Sequence, residues 1–587
     1  MWQTLQYSIS TRVVQQLIGL LITWPTLLFA AELAPQVRRP AALALVDGDS
    51  HLLVANHHSG TLSAVDIASR RVVGETRVGR SLSAFVAGQK RAIGVALDDT
   101  DSCLITGEIR GHDFHAQGQT SVGRVPVHVL LSADERRAFV ASLWARQTTI
   151  VDVAVRSKPR VLATINLPFS PLLQMLLPDP RYLVVAGAFG GELALLDIEA
   201  ARVLQVHRLE GNNVRGLAIS TDRQSLYVAH QILNDYPATT RGGVHWGGVL
   251  VNVIRTVEIA SLHAVQPRTG PAGDLRYLGH PDRAAGDPGG LIVSKEGRQI
   301  LAFAGVSELA ISDRDAEYFQ RVSVGRRPAA LMLGSKGRTV YVANMMDDSV
   351  SIVPIDAAGD VCSIQLGPAQ ELSLAERGEQ LFYDATLSSD GWLSCHSCHT
   401  DGHTNGRLND NFGDGSAGAP KRVLSLLGVG ATGPWSWSGS VMRLEEQVRK
   451  SIRTTMRGAE PTHQQVAALA AYLRTLTPPP SLLSARQQSP RETVSRGARV
   501  FLQHGCADCH QPPRFTAPEI YDVGLQDRLG NRRFNPPSLL GVSQRSALFH
   551  DGRAASVRDV LMGHRHGIGQ DTSQTEIEEL IDYLNSL

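Results

Sequence analysis

The sequence of 587 residues predicts a multidomain protein in which an all-β propeller is followed by two all-α domains. Three observations predict this arrangement: a block of β-type sequence recurs along the first half, the second half contains two copies of one pattern, and the composition is globular throughout. The length is too great for one hydrophobic core and indicates roughly three or four folded units.

The N-terminal segment 1–31 is predicted to be a secretory signal peptide. Arg12 precedes an apolar run from Leu17 to Ala31, which ends in two small residues. The run is interrupted by Pro25 and is shorter than the roughly 20 residues of a membrane helix. We therefore expect export to the periplasm and no membrane span after cleavage, with an uncleaved anchor as the alternative.

The first half repeats a block that contains a β-rich run, a polar turn and a second alternating run, which is the pattern of a hairpin. Each copy has Val-Ala at its third and fourth positions, and the copies are 52–67, 138–153, 183–198 and 340–355. Degraded copies at 102–107, 226–230 and 300–305 bring the number to about seven with a period near 45 residues, which is typical of four-stranded blades. Residues 38–366 are predicted to form a seven-bladed propeller, with an array of β-sandwiches as the alternative.

One repeat resembles the Tyr-Val-Thr-Asn family of surface and periplasmic propellers. It contains Arg327-Pro328 followed by Tyr341-Val-Ala-Asn344, with Ala343 in place of the family's threonine. The spacing between the fifth and sixth blades is longer, which predicts an insertion at about 232–288. This insertion carries Tyr236, His245 and Trp246, and it could cover a cofactor edge, bind a partner or be a plain surface loop.

Two Cys-x-x-Cys-His motifs predict two covalently bound haem c groups. In each, two thiols three residues apart can reach both vinyl groups of one porphyrin, and the following histidine can bind the iron. The motifs are Cys395-His-Ser-Cys398-His399 and Cys506-Ala-Asp-Cys509-His510, so that His399 and His510 are the predicted proximal ligands. A redox dithiol or half of a zinc site is the alternative reading of a single Cys-x-x-Cys. Cys103 and Cys362 are left over, and the sequence leaves open whether they pair.

The second half is duplicated around these motifs. Arg377-Gly378 corresponds to Arg496-Gly497, Ser425-Leu-Leu-Gly-Val429 corresponds to Ser538-Leu-Leu-Gly-Val542, and a helix with Tyr-Leu closes each copy. Three prolines at 478–480 form a stiff spacer. The predicted fold is thus an all-β seven-bladed propeller followed by two all-α cytochrome c-like domains, at 371–477 and 490–587.

This half resembles the bacterial di-haem cytochrome c peroxidases and the related MauG-type enzymes over roughly 371–587. The resemblance is carried by Trp437-Ser-Gly with Leu444-Glu-Glu-Gln447 and by Phe549-His550-Asp551-Gly552. It implies that Trp437 lies between the haems and helps electrons to cross, and that Gln447 faces peroxide on the first haem. It also suggests bound Ca²⁺. The plain alternatives are a core tryptophan and a polar helix residue.

The chain departs from the family at Thr455-Met456, where the family has Glu-Met. Thr455 cannot supply the acid–base group that peroxide cleavage requires. Met456 could instead cap the first iron, since His/Met ligation is usual for electron transfer, or it could be a packed core residue. The sequence therefore leaves open whether the protein is an enzyme.

The distal ligand of the second haem is also open, because Met562, His564 and His566 all follow His550 within one helix and turn. The resemblance selects His564, whereas counting back from the terminal helix selects His566, and Met562 ranks behind both. His403 lies four residues after His399, so we expect it on the proximal side and reject it as a distal ligand.

The leading functional prediction is an exported di-haem oxidoreductase, with hydrogen peroxide reacting at the first haem and electrons arriving through the second. The main alternative is a non-catalytic electron-transfer cytochrome whose propeller docks a redox partner protein. A third reading gives the propeller its own quinone or haem, but no ligand set in 38–366 supports it. With 57 basic and 56 acidic residues, the overall charge gives no reason to expect nucleic acid as a partner.

Overall fold

Strands fill the chain from Pro40 to Gln365 and form seven consecutive antiparallel sheets, each made of neighbouring strands. The computed structural model describes residues 36–264, 273–312, 319–356, 360–412, 415, 417–489 and 492–587. The predicted signal peptide at 1–31 lies outside these residues. The prediction of a seven-bladed propeller is confirmed.

The first four blades have four strands each: β1 (Pro40–Val46), β2 (His51–Asn56), β3 (Thr61–Asp66), β4 (Arg71–Arg77); β5 (Ala84–Ala87), β6 (Ile93–Asp98), β7 (Cys103–Arg110), β8 (Asp113–Ser121); β9 (Pro126–Leu131), β10 (Arg137–Ser142), β11 (Gln147–Asp152), β12 (Arg160–Asn166); β13 (Pro171–Leu176), β14 (Tyr182–Gly187), β15 (Glu192–Asp197), β16 (Arg202–Arg208).

The fifth blade has five strands and contains a short helix between its second and third strands: β17 (Asn212–Ile219), β18 (Ser225–Leu233), α1 (Arg241–His245), β19 (Leu250–Glu258), β20 (Asp274–His280), β21 (Arg283–Ala284). The last two blades are β22 (Pro288–Val293), β23 (Gln299–Phe303), β24 (Glu308–Ser312), β25 (Gln320–Ser323); β26 (Pro328–Leu333), β27 (Thr339–Asn344), β28 (Ser349–Pro354), β29 (Cys362–Gln365).

The first strands of the seven blades form a closed ring, because each contacts the first strand of the next blade and β26 contacts β1. The Val-Ala motif of the four clear repeats lies in the second strand of its blade, and the four valines Val54, Val140, Val185 and Val342 have no exposed surface. A strand covered on both faces needs apolar residues in succession. Seven hydrophobic clusters fill the spaces between adjacent blades and hold the ring together.

Two details of the repeat analysis differ in the structure. The copy at 102–107 lies on β7, the third strand of its blade, whereas the other copies lie on second strands. The range 232–288 is not one insertion, because it contains β19, β20 and β21 of the fifth blade. The sequence analysis treated these strands as loop because glycine-rich and polar stretches separate them from β18. Cys103 in β7 and Cys362 in β29 are both free thiols.

The chain then forms two helical domains with the same plan. Their helices are α2 (Leu374–Phe382), α3 (Cys395–Cys398), α4 (Leu444–Lys450), α5 (His463–Thr475), α6 (Leu482–Ala485), α7 (Glu492–Gln503), α8 (Cys506–Cys509) and α9 (Gln574–Leu584), with small hairpins β30 (Leu408–Asn409) with β31 (Lys421–Arg422) and β32 (Tyr521–Asp522) with β33 (Arg533–Phe534). Within the described ranges, no helix combines the length and the apolarity needed to cross a membrane.

A glycine at corresponding positions of the two helical domains has the same structural role in each. Helix α2 packs on α5, and α7 packs on α9. A Cβ atom at Gly378 would overlap the carbonyl group of Ala468, and one at Gly497 would overlap that of Glu579. Glycine at these positions lets each helix pair approach closely, which fixes the frame of each cavity described below.

Candidate functional site

The first helical domain encloses a cavity of about 260 Å³. Its lining includes Cys395, Cys398, His399, Gln447 and Met456, which the sequence analysis singled out from separate segments. The single turn of α3 begins with a capping box formed by the residue before it, and this turn brings the two cysteines onto the cavity. The structure therefore brings the predicted proximal and distal residues of this domain together.

His399 is held in one orientation by its backbone surroundings. Its Nδ1 atom lies 2.8 Å from the carbonyl oxygen of Leu424, so the neutral ring donates this hydrogen bond and keeps Nε2 as an acceptor. Burial lowers the pKa of His399 to about 4, so the ring is neutral at pH 7. A neutral, oriented imidazole with a free Nε2 is what a metal ligand requires.

The opposite segment of this domain has an unusual backbone. Helix α4 continues into a π-helical segment, Ser451–Thr455, and Met456 follows it. Single π turns within helices occur frequently at functional sites. Thr455 and Met456 both line the cavity, and Met456 is only 3% exposed.

Gln447 contributes one buried polar atom to this cavity. Its Nε2 atom donates to the hydroxyl of Ser451 at 3.1 Å. Its Oε1 atom is buried and has no hydrogen-bond partner among the described residues. Gln447 can therefore accept a hydrogen bond from a group that enters the cavity.

The second helical domain encloses a cavity of about 370 Å³, whose lining includes Cys506, Cys509, His510 and His566. His510 repeats the arrangement of His399, because its Nδ1 atom lies 3.2 Å from the carbonyl oxygen of Phe515. Burial lowers the pKa of His510 to about 4, so this ring is also neutral at pH 7.

Of the three candidates for the distal side of the second cavity, only His566 lines it. His564 and Met562 are exposed, and Met562 contacts Arg558. The backbone alone instead matches His564 with Met456 of the first domain. The amide of His564 donates to the carbonyl oxygen of Asp559, the first residue of the π-helical segment Asp559–Gly563, and the amide of Met456 donates in the same way to the carbonyl oxygen of Ser451. The side-chain positions nevertheless place His566 inside and His564 outside.

The two cavities share a wall. Six residues line both cavities: Arg422, Trp437, Asn535, Pro536, Pro537 and Arg545. Trp437 is 8% exposed, and its Nε1 atom donates to the carbonyl oxygen of Arg422 at 2.8 Å. An indole fixed in this wall is in contact with both cavities.

Two arginines at this wall and a histidine that lines the second cavity were not predicted from the sequence as site residues. Burial lowers the pKa of Arg422 to about 9 and that of Arg545 to about 10. Nη1 of Arg422, Nε of Arg545 and both ring nitrogens of His550 are buried without a hydrogen-bond partner among the described residues. No spacing or motif marks the two arginines in the sequence, whereas His550 was already visible in the Phe-His-Asp-Gly segment.

The propeller covers the motif of the first cavity. Ser394 and Ser397, on either side of Cys395, both donate hydrogen bonds to the buried carboxylate of Asp287. Burial raises the pKa of Asp287. Asp401, just after the motif, accepts from Arg215 at 2.7 Å. The first motif is thus held against the propeller, whereas helix α8 of the second motif has no buried residue.

The excursion between β18 and β19, which comprises residues 234–249, contacts the first helical domain beside the π-helical segment Ser451–Thr455. Thr239 is fully buried. Its amide donates to the carbonyl oxygen of Asp410, and its hydroxyl donates to the carbonyl oxygen of Thr454, both at 3.0 Å. His245 pairs with Asp390 at 2.8 Å. Tyr236 and Trp246 are 81% and 72% exposed. Thr239, His245, Tyr236 and Trp246 line neither cavity, so this excursion braces the domain without covering a cavity.

The fold and the paired cavities define the class of protein. A propeller is joined to two related helical domains, and each helical domain has a Cys-x-x-Cys-His motif at its cavity. Residues 373–477 match the family described as di-haem cytochrome c peroxidase, which includes MauG. The recognition made from the sequence is confirmed: the C-terminal half is related to the di-haem cytochrome c peroxidases and MauG proteins.

Several proteins are similar to this chain. MauG, the methylamine utilization protein of Methylorubrum extorquens, is 28% identical over an alignment of 223 residues, and the match covers 32% of this chain and 61% of MauG. Cytochrome c551 peroxidase of Nitrosomonas europaea is 23% identical over an alignment of 315 residues, and the match covers 44% of this chain and 90% of that protein. Hydrazine synthase of Kuenenia stuttgartiensis has a TM-score of 0.48 at 18% identity, and the match covers 57% of this chain and 99% of that one. The chain thus spans about three fifths of MauG.

The residues of both cavities fit the haem c that the family implies. Each cavity offers two cysteines, a neutral histidine whose Nδ1 atom lies at a backbone carbonyl oxygen and, in its wall, buried arginine groups that have no acidic partner among the described residues. These are the groups that a covalently held porphyrin with iron and two carboxylates requires. The comparisons give no support to the Ca²⁺ suggested by the resemblance.

Proposed function

We propose that this protein is an exported di-haem c-type oxidoreductase of the periplasm. Cys395 and Cys398 hold haem 1 by thioether bonds, and Cys506 and Cys509 hold haem 2. His399 and His510 are the proximal ligands. The proposal is supported by the two oriented, neutral histidines and by the family to which the helical half is related.

We propose hydrogen peroxide as the oxidant at haem 1 and a donor protein that delivers electrons through haem 2. Bound haem supplies one-electron chemistry at iron. The observation that carries this proposal is the common wall, because Trp437 touches both cavities and offers a short path between them. Gln447 lines this cavity, and its amide oxygen, which has no hydrogen-bond partner within the described ranges, can accept a hydrogen bond from peroxide.

The alternative, an electron-transfer cytochrome whose propeller docks a redox partner, is favoured by one observation. Met456 is buried in the lining of the first cavity, and Thr455 beside it cannot move a proton as a glutamate could. If Met456 binds the iron, haem 1 has no open position. For haem 2 we propose His566 as the distal ligand.

Low-temperature EPR of the oxidised protein separates these functions. An open haem 1 gives a high-spin signal, and two capped irons give only low-spin signals. The peroxidase proposal further expects the reduced protein to be oxidised rapidly by peroxide in a stopped-flow mixing experiment. Absence of both the high-spin signal and the rapid reaction in the wild type, with both gained in Met456→Ala, would establish the electron-transfer alternative. Trp435→Phe, which alters the same cavity away from Met456, is the matched control.

A further inference from the structure

Arg422 and Arg545 come from different helical domains and meet at the wall between the cavities. Arg422 ends β31, where its backbone amide donates to the carbonyl oxygen of His550 at 2.7 Å and its carbonyl oxygen accepts from Trp437. Arg545 directly follows the short 3₁₀ helix Val542–Gln544. Both side chains line both cavities.

Neither guanidinium group has an acidic partner among the described residues. Nε of Arg422 donates to the carbonyl oxygen of Phe549, and Nη2 of Arg545 donates to that of Leu540, both at 3.1 Å. Nη1 of Arg422 and Nε of Arg545 have no hydrogen-bond partner in the part of the chain that the structure describes. The two cations also repel each other, which contributes to the low pKa of Arg422.

Two acidic residues of this region, Asp527 and Asp551, are already paired with other cations. Asp527 pairs with Lys421 at 3.1 Å, and Asp551 pairs with Arg553. A buried cation without a counter-charge is strongly destabilising. Two such cations in one wall therefore call for anions that enter the cavities from outside the polypeptide.

We propose that Arg422 and Arg545 form a carboxylate clamp shared by the two cavities, and that they bind propionate groups of both haems. This inference rests on the proposed function, because the porphyrins supply the anions. A planar guanidinium group matches a carboxylate, and charge-assisted hydrogen bonds of this kind are strong. Since one arginine comes from each domain, the clamp makes the electrostatic environment of each haem depend on both domains.

The test is a spectroelectrochemical titration of holoprotein carrying Arg422→Gln or Arg545→Gln. Loss of a buried positive charge favours the ferric state, so we expect the midpoint potentials of both haems to fall in each variant. We expect a shift of about tenfold in the one-electron equilibrium constant, which corresponds to about 59 mV. Arg545→Lys keeps the charge and should restore most of the shift.

The matched control is Arg514→Gln, an exposed arginine of the second domain whose side chain donates to the carbonyl oxygen of Ala431. It should leave both potentials unchanged. Unchanged potentials in fully loaded Arg422→Gln and Arg545→Gln would overturn the proposal, and so would a response of one haem alone. Where a glutamine variant fails to fold, the lysine variants provide the test: lysine loses its charge at alkaline pH, whereas an arginine paired with a carboxylate keeps it. Both midpoint potentials should therefore fall further at alkaline pH in the lysine variants than in the wild type, and an equal pH dependence would overturn the clamp.

Failure of the clamp is distinguishable from failure of the proposed function. Haem content is measured first, from the mass of the mature chain, and a chain without two added porphyrins refutes the function itself. The titration uses no peroxide, so its result is independent of whether haem 1 reacts with peroxide.

Discussion

His564 and His566 are separated by one residue, but only His566 lines the second cavity, while His564 is exposed. We expect His566→Ala to open haem 2, which would give a high-spin EPR signal and allow cyanide to bind in the absence of peroxide. His564→Ala is the matched control and should change neither property. The reverse pattern would show that the family's spacing, and not the side-chain position, identifies the ligand.

Trp437 can be tested in the same way. Trp437→Phe keeps an aromatic ring but removes the hydrogen bond to the carbonyl oxygen of Arg422, which should cost about 1 kcal/mol of stability. We expect slower electron exchange between the haems, measured by stopped-flow reduction with each haem followed at its own wavelength.

Trp435→Phe provides the control for Trp437. Trp435 donates a similar hydrogen bond to Val429 at 3.1 Å, but it lines the first cavity only. Exchange rates that fall equally in both variants would assign the effect to packing and would remove the special role of Trp437.

The residues of the site differ in how well the sequence predicts them. The cysteines and proximal histidines follow from a local motif, because one helical turn fixes their relative positions. Arg422, Arg545 and Asp287 act through contacts with residues far away in the sequence, and nothing in their immediate neighbourhood marks them. The choice between His564 and His566 depends on side-chain direction after a π-helical segment, which spacing alone does not determine.

At the scale of elements, the excursion between β18 and β19 braces the π-helical segment of haem 1 through Thr239. Thr239→Val keeps the shape but removes the donor to the carbonyl oxygen of Thr454, which loses this hydrogen bond. We expect a loss of about 1–3 kcal/mol of stability and a changed EPR or optical spectrum of haem 1.

Thr240→Val is the control for this element. Thr240 is exposed, and its hydroxyl accepts from Gly243 within the same excursion. Its loss weakens the cap of α1 but should leave the haem 1 spectrum unchanged. A spectrum that is unchanged in Thr239→Val as well would mean that the excursion does not position the segment beside haem 1.

The propeller could be predicted because each blade repeats the same buried second strand. The errors arose where that signal is weak. In the second blade, Cys103 begins a buried third strand that resembles a second strand in hydrophobicity. In the fifth blade, β19 and β20 follow an excursion and a glycine-containing stretch, so their spacing no longer matched the repeat.

For the whole molecule, His403 lies where the propeller meets both helical domains. Its Nδ1 atom is 2.9 Å from the hydroxyl of Ser425, its Nε2 atom is 3.3 Å from the carbonyl oxygen of Gln544, and its ring packs on Trp144 and Phe189. Burial lowers its pKa to about 3 from 6.5. The folded state therefore binds this proton less readily than the unfolded state, and stability is lost as the pH falls below 6.5.

We expect this group alone to cost about 2 kcal/mol of stability between pH 6.5 and pH 4.5. His403→Gln should reduce this loss of stability by the same amount. The measurement is the free energy of unfolding by denaturant, compared between variant and wild type at both pH values. The exposed His115→Gln should leave the decline unchanged. An equal decline in wild type and His403→Gln would contradict a role for this histidine in acid sensitivity.

The enclosure of the first motif by the propeller has a consequence for maturation. In the assembled fold, burial and the neighbouring Asp287 raise the pKa of the Cys395 and Cys398 thiols to about 12, which leaves them unreactive. An enzyme that attaches haem would find these sulfur atoms covered by the folded propeller. If these cysteines hold haem as proposed, its attachment would have to precede the packing of the propeller against this motif.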